Sequence, residues 1–169
     1  MNEQDRKEIN AFYDAEQEKL FGFIRNMGLD THDADDVLND AFLAICTHWS
    51  DVRDRSPRGY LYVVARNEIF RRWRSRNRRP EEPLEDQTAV VTGDFAQQVV
   101  DHQVLGGALA TVTGREREAV LLLYYAGFDV AGAARVMGCK PGAVKRYAFD
   151  GRAKLRHALT GGTRKEPTR

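Results

Sequence analysis

The sequence predicts an all-α protein built from two small helical domains. Apolar residues recur at helical spacing along most of the chain, and no period-two alternation persists. Glycine and proline punctuation is sparse until Pro80, where a proline-bearing acidic stretch interrupts the helical pattern. Charge is segregated although the net charge is only +1. Residues 80–104 carry acidic side chains and no basic ones, whereas residues 66–79 carry seven arginines against the single acid Glu68. A chain of 169 residues allows one ordinary domain or two small ones, at about 100–200 residues per domain.

The first helix is expected from Glu8 to Met27, anchored by Ile9, Phe12, Leu20, Phe23 and Ile24, with Gly28 as its C-cap. A second, capped by Thr31 or Asp33, runs to about Trp49. The polar stretch Ser50–Ser56 reads as a loop. Pro57 suits the first turn of a third helix that runs to about Arg78. Pro80 and Pro83 end it, because proline disfavours helix in the residue before it. Residues 80–102 then read as a flexible acidic linker, with a short helix near Phe95–Val104. Helices are expected at about 103–111, 114–126, 129–137 and 141–157. The predicted organisation is therefore a domain at 8–79, the linker, a domain at 103–158 and a disordered tail at 159–169.

Several function classes are disfavoured. No run of 18 apolar residues is present, so no membrane insertion is expected. Met1 leads into polar residues without an apolar segment, so no secretory signal is expected. Cys46 and Cys139 are far apart and lack Cys-x-x-Cys spacing, which argues against a disulfide framework or zinc site and for a reduced, cytoplasmic setting. Neither a nucleophile motif nor a phosphate-binding glycine loop nor a metal-ligand cluster is visible. The expectation is a protein that is not an enzyme and takes no cofactor or metal.

Three helices carry candidate sites. On the second, Val37, Leu38, Ala41, Phe42, Ile45 and Trp49 form the core face. Asp33, Asp36, Asn39 and Asp40 fall on the other side, with Leu43 projecting among them. A solvated face with acids near a helix N-terminus fits this pattern. An apolar residue among acids fits a protein interface.

On the third helix, Leu61, Val64, Ala65 and Ile69 form the core stripe. Tyr60, Val63, Asn67, Phe70, Arg71 and Arg74 form another, mixing planar rings, an amide and cations. Single-stranded nucleic acid is held by such groups, rings for bases and guanidinium groups for phosphates. A basic solvated helix is the alternative, and for Arg76, Arg78 and Arg79 it weighs equally with phosphate attraction.

Residues 129–157 have helix-turn-helix spacing, with Asp129 as cap, small Ala133 and Ala134 at the crossing, and Gly138 at the turn. Val136, Met137, Val144 and Ala148 are the expected core, and Tyr124-Tyr125 is read as core packing. Lys145, Arg146, Phe149, Arg152 and Lys154 then project from a helix that opens at Pro141, as a DNA major-groove helix requires. A helical hairpin with a basic surface has the same spacing.

Four segments, in order, resemble bacterial sigma factors of the extracytoplasmic-function group. Asp33-Ala-Asp-Asp-Val-Leu-Asn-Asp-Ala-Phe42 is similar to their core-polymerase-binding segment. Ser56-Pro-Arg-Gly-Tyr-Leu-Tyr-Val-Val-Ala-Arg-Asn67 is similar to their −10 reading and melting segment. Thr113-Gly-Arg-Glu-Arg-Glu-Ala-Val120, which includes Arg115, and Gly142-Ala-Val-Lys145 are similar to their −35 binding domain. The resemblance spans residues 10–158 and implies the second and fourth sigma regions alone.

By position, it implies that Asp36, Asn39 and Asp40 contact the clamp helices of the largest subunit of core RNA polymerase. It links Asn67 to promoter opening and assigns the Trp49–Ser56 loop, with Arg53, to capture of a flipped −10 base. It places Lys145, Arg146 and Phe149 against the −35 element. It also implies promoter DNA, duplex and single-stranded, and an anti-sigma factor as partners. The chain departs from the family pattern at Ala143, Arg146, Tyr147 and Asp150, where threonine, serine, arginine and a basic residue are usual. A stand-alone helix-turn-helix regulator with a helical sensing or dimerisation domain is the competing expectation.

Overall fold

A computed structural model describes residues 1–77 and 107–161. The expected linker, the helix near residues 95–104 and the tail beyond 161 lie outside the described residues, as do Arg78 and Arg79. All regular elements among the described residues are helical.

Helix α1 (Glu3–Asn26) begins five residues earlier than its apolar pattern suggests. The cause is local. Asn2 accepts the Asp5 N–H at 2.7 Å while the Asp5 carboxylate accepts the Asn2 N–H at 3.1 Å, a reciprocal capping box. Gly28, just past the Met27 cap, adopts φ 101°, a conformation glycine enters without steric cost. Asp30, not Thr31 or Asp33, caps α2 (Thr31–Val52), accepting the Asp33 N–H at 2.8 Å.

Helix α2 does not stop at Trp49. It kinks at His48 and continues through Ser50 and Asp51, so the expected Ser50–Ser56 loop shrinks to a turn at residues 53–55. Tertiary contacts override the local polarity. The buried Trp49 ring packs 5.9 Å from Phe12, and its indole N–H donates to Glu8 at 3.3 Å. Helix α3 (Pro57–Asn77) crosses α1 and α2, burying Leu61, Ala65 and Ile69 of the expected stripe and leaving Val64 half-buried against the core.

The second group begins with helical residues 107–109, within the helix expected over 103–111, and Thr113 then caps α4 (Gly114–Val120), again in a capping box, with Glu116. Lys154 donates to the Glu116 carboxylate at 2.9 Å and ties this cap to the last helix. These bonds hold the Glu116 carboxyl below its ordinary range against the desolvation that raises it. A π-helical turn (Leu121–Tyr125) follows, closed by the Ala126 N–H on the Leu121 carbonyl at 2.8 Å. Helices α5 (Val130–Met137) and α6 (Pro141–Gly161) complete the group. Gly138 makes the turn between them at φ 64°, and Ala133, Ala134, Val136, Met137, Val144 and Ala148 are buried as expected. Of the tyrosine pair, Tyr125 packs on the core but Tyr124 is exposed, which corrects the expected core role for both.

The two helical groups share one continuous apolar cluster. Tyr62 of α3 stands at their meeting point, its ring 5.2 Å from Phe23 and 4.9 Å from Phe128. It is fully buried, and its hydroxyl faces the Arg58 guanidinium without reaching hydrogen-bond geometry. Burial pushes the phenol far above its ordinary value. The unfolded chain therefore loses this proton first as pH rises past about 10, and stability falls from there. Tyr62→Phe keeps the ring contacts and removes the unpaired hydroxyl, so stability should hold or rise by about 1 kcal/mol. Urea melts at neutral and alkaline pH check both points, and the advantage of the phenylalanine variant should widen above pH about 10.

Candidate polymerase and promoter interfaces

On α2, Asp36, Asn39, Asp40 and Leu43 are all exposed, Leu43 by 66%. Their spacing of three and four residues puts them on one helical face. Asp33 leaves this group, because its carboxylate accepts from Arg76 of α3, which also lies 3.7 Å from Asp30. Asp40 keeps a looser partner in Arg72 at 3.7 Å. The face thus combines two carboxylates, an amide and a bare leucine.

On α3 the expected stripe divides. Asn67, Arg71 and Arg74 are exposed and share one face. Arg71 donates to Glu68 at 2.6 Å, and that neighbour raises its pKa further. Phe70 is half-buried between the Arg66 guanidinium, 4.4 Å from its ring, and Trp73 at 5.0 Å. Tyr60 is half-buried beside His48 and lines a groove with Val63, Phe128 and Val136. Trp49 and Arg53 stand apart from this stripe. Trp49 is only 7% exposed. The Arg53 guanidinium is held by Asp5 at 2.9 Å and Glu8 at 3.1 Å, so both residues brace the α2 end on α1.

On α6, Val144, Ala148 and Gly151 face inward, while Lys145, Arg146, Phe149 and Arg152 are exposed. Phe149 is 74% exposed, unusual for so large an apolar side chain. A side chain at Gly151 would press on Val120 at 2.9 Å, so this glycine lets α6 pack closely on α4. Arg152 donates to the Tyr124 hydroxyl at 3.2 Å and lies 5.0 Å over its ring. Arg115 does not share the α6 face. Its guanidinium donates at 3.0 Å to the Met137 carbonyl and satisfies the C-terminal end of α5.

Sequence reasoning missed the residues between the halves, namely Arg58, Arg66, Glu118 and Phe128. Glu118 alone carries a signal. It stands three, four and seven residues before Leu121, Leu122 and Tyr125, a carboxylate on an apolar stripe that implies a buried partner.

Residues 12–79 match the family model for sigma-70 region 2, and residues 102–155 match the model for sigma-70 region 4. The chain belongs to the sigma-70 family. The ECF RNA polymerase sigma factor SigM of Mycobacterium tuberculosis is 28% identical, over 92% of this chain and 79% of that protein. SigM of Bacillus subtilis is 25% identical, over 94% of this chain and 99% of its own length. The fold is shared with the sigma factor RpoE of Bartonella quintana, solved in complex with the anti-sigma factor NepR. The TM-score is 0.80 at 22% identity, over 91% of this chain and 98% of that one. It is shared also with CnrH, solved in complex with the cytosolic domain of CnrY. Here the TM-score is 0.70 at 21% identity, over 94% and 91% of the chains.

The chain is thus an RNA polymerase sigma factor of the extracytoplasmic-function type, in a family of promoter-specific initiation factors. The stand-alone regulator is not favoured. No described helix is long and apolar enough to cross a membrane.

The capping role of Arg115 generates a prediction for this sigma factor. Arg115→Ala should cost the region 4 domain about 1 kcal/mol, one lost hydrogen bond, in a thermal melt. It should weaken duplex binding equally across −35 variants in an anisotropy titration. A change of preference at one base pair instead makes Arg115 a reader.

Proposed function

We propose that three separate surfaces divide the work of initiation along this chain. Asp36, Asn39, Asp40 and Leu43 dock on the clamp helices of core polymerase, where the carboxylates meet basic partners and Leu43 supplies a desolvated anchor. Asn67, Arg71 and Arg74, backed by Phe70 and Tyr60, hold the −10 single strand. Lys145, Arg146, Phe149 and Arg152 present α6 to the −35 major groove. The halves at 8–79 and 103–158 act as −10 and −35 modules.

The observation that carries this reading is the exposure of all three groups on separate helices, in the order of the matched sigma regions. Charged and aromatic side chains left open on otherwise well-packed helices suit partners of opposite charge and bases leaving a stack. No catalytic step is assigned to the chain, which acts by binding within the cytoplasm. RpoE and CnrH, whose fold it shares, were solved with NepR and CnrY, and an anti-sigma factor is a fitting partner here also.

The test is transcription with purified core polymerase and candidate promoters, with and without the chain. Two variants separate its steps. A triple variant, Asp36→Lys, Asn39→Lys and Asp40→Lys, should fold normally and lose core binding in a pull-down. Asn67→Ala should keep core binding and the closed complex but lower permanganate reactivity around the −10 element. A premelted template should restore its activity. Unchanged core affinity in the triple variant overturns the docking face, and undiminished opening by Asn67→Ala overturns the melting role.

A further inference from the structure

Arg66 precedes Asn67 on α3, and its guanidinium lies over the Phe70 ring at 4.4 Å. It therefore borders the face assigned above to the −10 strand. Its donors nonetheless point to the other half of the chain. The Arg66 fork donates to the carboxylate of Glu118 on α4, and that glutamate is 0% exposed. Carboxylate and phosphodiester both offer two anionic oxygens to a guanidinium fork. A guanidinium stacked beside an aromatic ring is also a combination that holds a nucleic-acid backbone next to a stacked base. The Arg66–Phe70 pair thus has the chemistry of a strand-binding site already filled from within.

Further contacts hold the two halves in this arrangement. Arg58 bonds to Glu16 at 3.1 Å and donates to the Ala126 carbonyl across the boundary. Its guanidinium lies 4.3 Å over Phe128 and 5.4 Å over Tyr62. Tyr60, first of the strand-binding stripe, forms a wall of the groove against α5. The −35 half therefore sits on part of the surface that the −10 strand needs.

We propose that Glu118 is an internal stand-in for a −10 strand phosphate, so that packing of region 4 on α3 and binding of single-stranded DNA compete for Arg66. The inference rests on the −10 reading of α3 and names the group that blocks it. Burial pushes the Glu118 carboxyl up, against the attraction of Arg66. The closed state keeps this ion at a desolvation cost, which leaves the contact open to displacement by a polyanion.

The test uses the full chain and a fluorescein-labelled oligo(dT) of about 12 nucleotides, within the usual site size for single strands. The same strand with uncharged methylphosphonate linkages is the comparison. Glu118→Ala removes the internal anion, and Phe128→Ala loosens the boundary without changing any charge. Each should tighten binding of the charged strand about tenfold, the factor for a binding-competent form populated at about one part in ten. The methylphosphonate strand should gain little. In an Arg66→Ala background, Glu118→Ala should change nothing, because the two then share no partner.

Circular dichroism confirms that each variant stays helical, and either opening variant suffices if the other does not fold. A helical variant that binds no tighter than the parent overturns the lock. So does a gain that survives in the Arg66→Ala background, which reduces it to a general charge effect. If Asn67→Ala, Arg71→Ala and the parent bind the charged strand alike, the −10 reading itself falls. If only the opening variants show no gain, the −10 reading stands and the lock alone is wrong.

Discussion

Arg66 and Glu118 form the contact on which the arrangement of the whole chain turns. Each comes from a different half, and the Arg66 guanidinium acts on the buried Glu118 carboxylate more strongly than Arg115 of its own half does. A buried carboxylate in an apolar boundary is costly without a counter-charge, and Arg66 supplies one across that boundary. Around them the boundary is aromatic, with Tyr62 and Phe128 edge to face and Arg58 layered over both. Such ring contacts contribute about 0.5–1.5 kcal/mol per pair.

Helix α3 consequently does three things with three faces. Leu61, Ala65 and Ile69 bury it in the first domain. Arg58, Tyr62 and Arg66 meet the second. Asn67, Arg71 and Arg74 remain in solvent. A helix with so many duties cannot show a clean apolar stripe, and its mixed composition follows from that. The acidic face of α2 and the basic face of α6 are simpler, because each is left open by the fold.

Much of this was legible in the sequence. The helices of the first domain, the core stripe of α2 and the helix-turn-helix came directly from apolar spacing and from caps at Asp129, Gly138 and Pro141. What was missed has physical causes. The capping box at Asn2 and Asp5 lengthened α1 beyond its apolar anchors. The end of α2 looked like a loop because Ser50 and Asp51 are polar, yet Trp49 and Arg53 are fastened to α1 by contacts more than forty residues away. Arg53 and Arg115 looked available for DNA, and each is occupied by a structural bond that no local pattern announces. The packing of one half on the other was also hidden, because complementarity between Arg66 and Glu118 exists only once both helices have formed.

The exposed faces were legible for the opposite reason. Leu43 among acids and Phe149 among cations are local anomalies, visible without knowledge of the fold, and the structure leaves both uncovered. The exposed faces are written into single helices, whereas the Arg66–Glu118 contact is written across the chain.

The most direct measurement of that restraint is the distance between the halves. The chain has two cysteines, Cys46 on α2 and Cys139 beside the helix-turn-helix turn, one in each half. Spin labels at both positions, read by pulsed electron resonance, report the separation in the free chain and in the holoenzyme on promoter DNA. The account predicts one short, narrow distance in the free chain and a longer one in the complex. A broad distribution in the free chain, or the same short distance in both states, would contradict it.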